Sequence, residues 1–162
     1  MNKKAFTLTE ILIVIGIIGI LATIVLVVLS STRDKARDTK RKADLYTIGR
    51  FLQFGCFMPS AGDGEYDLLE IIDDFKTRYP KYASSIPKTL KDPKLGTDEN
   101  SYYYYIVADN GSKCVLYTNF ENENEKVTLP DISEATPGGG TGVFEGENAG
   151  WNDSNKYYQI SN

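Results

Sequence analysis

Nineteen residues from Ile11 to Leu29 carry no charge, and only Gly16, Gly19 and Thr23 interrupt their strongly apolar character. At 1.5 Å rise per residue, about twenty such residues cover the roughly 30 Å hydrocarbon core of a bilayer, so the run is long enough to span one. Its many isoleucines and valines carry no helix-propensity argument. In lipid, however, a lone span must satisfy its own backbone polar groups, and only a helix does so. Glu10 stands directly before the run. A carboxylate at bilayer depth costs roughly 2.5–3.5 kcal/mol on insertion scales, so this one calls for a reason.

Lys3 and Lys4 precede the span and hold the N-terminus on the cytoplasmic side, which puts the following domain outside. A removable secretory signal has a shorter apolar region, about 7–15 residues, and the small-residue site near Leu29-Ser30-Ser31 is poor. The segment therefore reads as retained. The chain beyond the span is long enough for one modest globular domain.

Charge is divided along the chain. Residues 1–50 hold nine Lys/Arg against four Asp/Glu, whereas residues 51–162 hold nine against eighteen. An acidic head is a poor partner for phosphate backbones, so no specific nucleic acid is expected. The chain has no histidine, which removes the commonest general base and the commonest transition-metal ligand. With no Gly-x-Ser-x-Gly and no phosphate loop either, no enzyme and no catalytic residue are predicted. Acid pairs such as Asp73-Asp74 fall in a helical surface context. Cys56 and Cys114 lie outside any metal-ligand spacing. In a head beyond the membrane they form a disulfide; two buried thiols are the alternative.

From Ser30 to about Phe54 there is no proline, and Gly49 alone interrupts good helix formers, so the helix continues past the membrane. Leu45, Ile48 and Leu52, extended by Cys56, form a stripe for packing on a domain. Arg33, Lys35, Arg37, Lys40, Arg41 and Lys42 lie upstream and read as a solvated basic surface near anionic headgroups, with Asp34 and Asp38 at helical spacing. Gly55 and Pro59 end the helix. Ser60 to Gly64 reads as loop, and Tyr66 to Tyr79 as a second helix broken by Pro80. Lys81 to Asn100 reads as mostly irregular. The runs 101–107 and 113–120 are aromatic and β-branched, and Asn110-Gly111 between them marks a hairpin. Val127-Thr128-Leu129 is a candidate extended segment, 137–142 is flexible, and Lys156 to Ile160 is a candidate edge strand. The tyrosines at 102–105, 157 and 158 read mainly as sheet and core material.

Lys3-Lys4-Ala5-Phe6-Thr7-Leu8-Thr9-Glu10 with its apolar run resembles the class III signal of type IV prepilins and pseudopilins. The later layout is similar in outline, including Lys88 to Lys94 with Asp92-Pro93 before the tyrosine hairpin. The resemblance implies an α+β, type IV pilin-like fold: a long N-terminal helix packed on a small antiparallel sheet. It divides the chain into a leader (1–5), a transmembrane and filament-core helix (6–30), an amphipathic second half (31–56) and a globular head (57–162). It implies cleavage by a prepilin peptidase between Ala5 and Phe6, N-methylation of Phe6, and pairing of Glu10 with a neighbouring subunit's amine; the alternative for Glu10 is a carboxylate at the membrane edge that accepts backbone N–H groups near the helix start. Ala5 stands where the family has glycine, which predicts slower processing. Major pilins often carry a proline in the second half of the apolar run, and Ala22 to Leu29 has none. Gly16 and Gly19 are then the candidate sites of local unwinding.

The implied partners are further copies of the chain in a helical homopolymer, the peptidase, the membrane, and an inner-membrane platform with its ATPase. The subunit would sit in the cytoplasmic membrane before assembly and then in a surface pilus or an envelope-spanning pseudopilus. No cofactor is assigned. Heads of this kind often bind calcium, and Glu121, Glu123, Glu125, Glu145, Glu147 and Asp153 are candidate donors, but their spacing is not diagnostic of a metal site. Three readings stay open: a pilin of a type IV pilus, a pseudopilin of a secretion-like or competence system, and an anchored binding domain that never polymerises.

Overall fold

The computed structural model describes residues 7–52, 55–87 and 90–162. They form α1 (Leu8–Leu52), β1 (Gly64–Asp67), α2 (Leu68–Arg78), α3 (Pro80–Ala83), β2 (Tyr104–Ala108), β3 (Lys113–Asn119), β4 (Gly142–Glu145) and β5 (Lys156–Ser161). The strands make one antiparallel sheet in the order β1-β2-β3-β5-β4. The fold is α+β: a long N-terminal helix followed by a small antiparallel sheet. Two compact units divide after Asp34, and each is described in turn.

The first unit is the apolar part of α1, a helix long and apolar enough to cross a membrane by length and composition. Its large apolar side chains from Leu8 to Leu26 are exposed, as expected where the surrounding medium is lipid rather than protein. Thr23 donates its hydroxyl to the Ile20 carbonyl at 2.7 Å, so the hydroxyl within the span is satisfied by the helix itself. The helix is continuous through Gly16 and Gly19.

In the second unit the remainder of α1 packs on the sheet. Leu45 and Ile48 join α2, Phe57, Ile86, Leu90 and the inward residues of β2, β3 and β5 in one hydrophobic core. Phe51 packs against it. Gly49 lets the backbones approach: a Cβ there would lie 2.8 Å from Cγ2 of Ile160 on β5. Inward and outward residues alternate along β2 as the pleat requires. Asp109, Asn110 and Gly111 take left-handed conformations in the β2–β3 connection, which Asn, Asp and Gly tolerate best.

Several local expectations change. Glu65 and Tyr66 pair with Ile106 and Tyr105 as part of β1, so α2 starts at Leu68 rather than Tyr66. Asp67 is the reason: its extended backbone ends the strand while its carboxylate accepts from the Leu69 N–H as the helix N-cap. The short α3 lies within the segment expected to be irregular. Val127 to Leu129 is not a strand, although the Thr128 and Leu129 N–H groups both donate to the Val143 carbonyl. β4 follows the Gly-rich loop and takes the edge, so β5 pairs on both sides and is an interior strand. The stripe side chain Leu52, together with Phe54 and Lys88, lies outside the described side chains.

The largest correction concerns the basic stretch of α1. Arg41 has no exposure. Its Nε and Nη2 reach the two Asp92 oxygens at 2.7 and 3.0 Å, and its Nη1 reaches Asp38 at 2.6 Å and Glu121 at 2.7 Å. Arg37 holds Glu121 through two 2.7 Å hydrogen bonds, and Lys94 lies 3.4 Å from the same carboxylate. Three cations therefore face three anions. The remaining acceptor capacity is also used: backbone N–H groups of Lys94 and Leu95 donate to Asp92, and those of Glu121 and Asn122 donate to Asp38. Beside this group, Lys42 pairs with Glu125, and Asp44 accepts from Lys40 and from the Tyr103 hydroxyl. Burial alone would weaken the charge of Arg41, but Asp92, Glu121 and Asp38 outweigh it and hold the guanidinium protonated. Burial likewise opposes ionisation of Asp92 and Glu121. Arg41 and the backbone donors on Asp92, and Arg37 with Arg41 on Glu121, win and depress both carboxyls.

Removing one member of such a group leaves buried charges uncompensated, which costs about 3–5 kcal/mol. The variant Arg41→Met is expected to lose about that much head stability, measured by urea denaturation of the full chain in detergent. Depressed carboxyls contribute stability that is present above their unfolded values of about 3.9–4.3 and lost as pH falls through the folded values. The urea midpoint is therefore expected to be flat between about pH 6 and 8 and to fall below about pH 4, with a shallower acid fall in Arg41→Met.

Candidate functional site

The residues with the strongest claim to function sit at the start of α1. Thr7 is the N-cap and Glu10 the third helical position. The Glu10 N–H donates to the Thr7 hydroxyl at 3.3 Å, and Glu10 Oε2 accepts from both the Thr7 N–H and the Thr7 hydroxyl at 2.8 Å. This is a capping box, in which two otherwise orphaned backbone donors are satisfied reciprocally. A negative charge here also faces the positive end of the helix dipole. The local bonding thus gives Glu10 a capping role of its own, independent of any neighbouring subunit. Among the described residues, both hydrogen bonds to the carboxylate reach Oε2, so Oε1 keeps acceptor capacity. Ala5 and Phe6, with Lys3 and Lys4, lie outside the described residues.

The pattern Thr-x-x-Glu ahead of an apolar run is itself a helix-start signature. Thr7 supplies the backbone N–H that the alternative reading of Glu10 at the helix start expects. Arg41 is different. It is one of several basic residues in a polar helical stretch, and nothing local separates it from its exposed neighbours.

Cys56 and Cys114 form a disulfide, Sγ–Sγ 2.13 Å, with Cα atoms 5.7 Å apart. It ties the segment after α1 to β3, where Cys114 is fully buried. The candidate calcium donors are dispersed among other partners. Glu121 belongs to the Arg41 group, Glu125 pairs with Lys42, and Glu145 sits 2.8 Å from Lys156. Asp153 lies 3.9 Å from Lys94. Among the described residues no group of three or more carboxylates or cysteines is arranged to hold a metal ion. Asp74 pairs with Arg78 along α2 at 3.1 Å, and the Asp73 side chain is exposed. Neither faces a catalytic partner among the described residues.

Residues 1–26 match the family described as the prokaryotic N-terminal methylation motif. No curated protein and no solved structure matches the chain. The matched segment contains the capping box and most of the apolar run, and it is followed by a helix-and-sheet head of pilin-like architecture. The N-terminal segment of this chain is the class III signal of type IV pilins and pseudopilins, carried on a helix that fits a membrane-anchored precursor.

Proposed function

We propose that this chain is a structural subunit that polymerises through its N-terminal helix into a type IV pilus. The observation that carries the reading is a carboxylate in the first turn of a membrane-length helix, within a matched methylation motif. Cleavage between Ala5 and Phe6 would create an α-amine of pKa about 7.7–8.0, cationic at neutral pH. Glu10 would accept that amine from a neighbouring subunit. Each charge alone is unfavourable among apolar helices, and together they attract strongly in low dielectric. The pair therefore selects one axial stagger between helices. Capping supports this role, because a carboxylate oriented by Thr7 presents an acceptor at a defined height on the helix. The acidic head would face outward, and the disulfide suits an extracytoplasmic location.

Prepilin peptidase, a membrane platform and an assembly ATPase would act on the subunit in turn. A pseudopilin of a secretion-like or competence system would use the same helix chemistry. A non-polymerising anchored domain would need the span but not the Glu10 charge.

Mass spectrometry of the native protein is expected to find an N-terminus at Phe6 carrying one methyl group. An N-terminus still at Met1, or one after Ser31, would remove the proposal. The variant Glu10→Gln separates capping from charge, since its amide oxygen still accepts from Thr7. It is expected to insert in the membrane normally while surface filaments fall by at least about tenfold, the effect of losing about 1.4 kcal/mol per contact. Filaments at the unmodified level would leave the anchored domain as the reading.

A further inference from the structure

The outward face of the sheet carries a feature that assembly through α1 does not use. Tyr117 on β3, Tyr157 on β5 and Trp151 in the connection before β5 form a triangle of rings. Their centroids are 6.1 Å (Tyr117–Trp151), 6.5 Å (Tyr117–Tyr157) and 5.9 Å (Trp151–Tyr157) apart, with planes inclined at 50–78°. Trp151 and Tyr157 meet edge to face and the other two pairs are tilted, so the three rings do not form a simple stack. Tyr157 is itself buttressed by Phe144 on β4, stacked at 5.2 Å.

These rings line a cleft of about 540 Å³ that also takes in Glu65, Glu134 and Glu147. That volume suits a small ligand. Among the described residues no Lys or Arg lines it, so three carboxylates act with no cation in the same wall. Glu65 accepts a hydrogen bond from the Tyr117 hydroxyl, which fixes that ring and holds the carboxylate at the rim. Burial and Glu65 both push the Tyr117 phenol up, so it stays a neutral donor.

We infer that this cleft binds an organic cation, a quaternary ammonium or alkylammonium group held by Tyr117, Tyr157 and Trp151 and attracted by Glu65, Glu134 and Glu147. A cation above the triangle lies within about 6 Å of all three centroids, the range over which ring quadrupoles attract positive charge. Carboxylates in a concave wall concentrate that attraction. The charged groups of this wall offer acceptors only, and a cation needs nothing else from them.

Trp151 is the one tryptophan of the chain, so its fluorescence reports on the cleft directly. The experiment titrates the full chain in nonionic detergent with tetramethylammonium chloride, against sodium chloride at equal ionic strength. A saturable change is expected with the organic cation and not with sodium. Glu134→Gln and Glu147→Gln are each expected to raise the half-saturation concentration about two- to fivefold, the size of one modest charge contact. Glu123→Gln, outside the cleft, should leave it unchanged. A response no larger than that of sodium would overturn the inference. So would an unchanged midpoint in the Glu134→Gln, Glu147→Gln double variant, or saturation by methyl glucoside without saturation by the cation. The readout does not depend on filament formation.

Discussion

A guanidinium with no solvent exposure needs compensation from every side, and Arg41 receives it from three separate places in the chain. Asp38 comes from its own helix, Asp92 from the loop before the hairpin, and Glu121 from the loop that follows β3. Apolar contacts would hold these segments together without fixing their register, because apolar contact is non-directional. The forked geometry of Arg41 is directional, and its bidentate hold on Asp92 sets position as well as proximity. Asp92 is fixed in turn by the Lys94 and Leu95 N–H groups and by Asn152. The group thus links α1, two loops and the sheet through a single side chain. Its members must be kept together, since a lone buried charge is far more unfavourable than the balanced set.

This arrangement explains why the polar part of α1 is so rich in both signs. Spacing along the helix accounts for the Asp38–Arg41 contact, which is local. The partners at 92 and 121 are distant in sequence, and no periodicity within residues 30–54 announces them. The reading of a solvated basic surface fails at Arg41 and Arg37 for that reason: helical charge patterns report on neighbours three and four residues away and are silent about the fold. The apolar stripe is more legible, because burial of Leu45 and Ile48 follows directly from their spacing.

The sheet shows the same division between local and distant information. β2, β3 and their turn were legible because aromatic and β-branched runs flank residues that accept left-handed conformations. β1 and β4 are each four residues long, and β4 follows a glycine-rich loop. Their pairing depends on strands elsewhere in the chain, so a short run of Gly-Val-Phe-Glu carries little signal alone. Without β4 in view, β5 reads as an edge strand. Asp67 shows how one polar residue decides a boundary. Its carboxylate caps α2 and also accepts from the Ser101 and Tyr102 N–H groups, joining the start of the helix to the approach to β2.

Glu10 and Arg41 solve related problems in different surroundings. Within the head, charge is buried by gathering a complete set of partners from one folded chain. At the start of α1, the described contacts of Glu10 come from Thr7 alone, and its charge has no counter-ion among the described residues of the same helix. A capped carboxylate at the edge of an apolar span is tolerable where water and headgroups reach it. Once helices are bundled and water is excluded, it becomes unfavourable unless a cation arrives. In the proposed filament, the amine released by cleavage before Phe6 would supply that cation. Under the proposed assembly, Glu10 would need only its cap in the single subunit, whereas a dry bundle of such helices would be favoured where amines and carboxylates meet. That difference would couple processing to assembly through electrostatics.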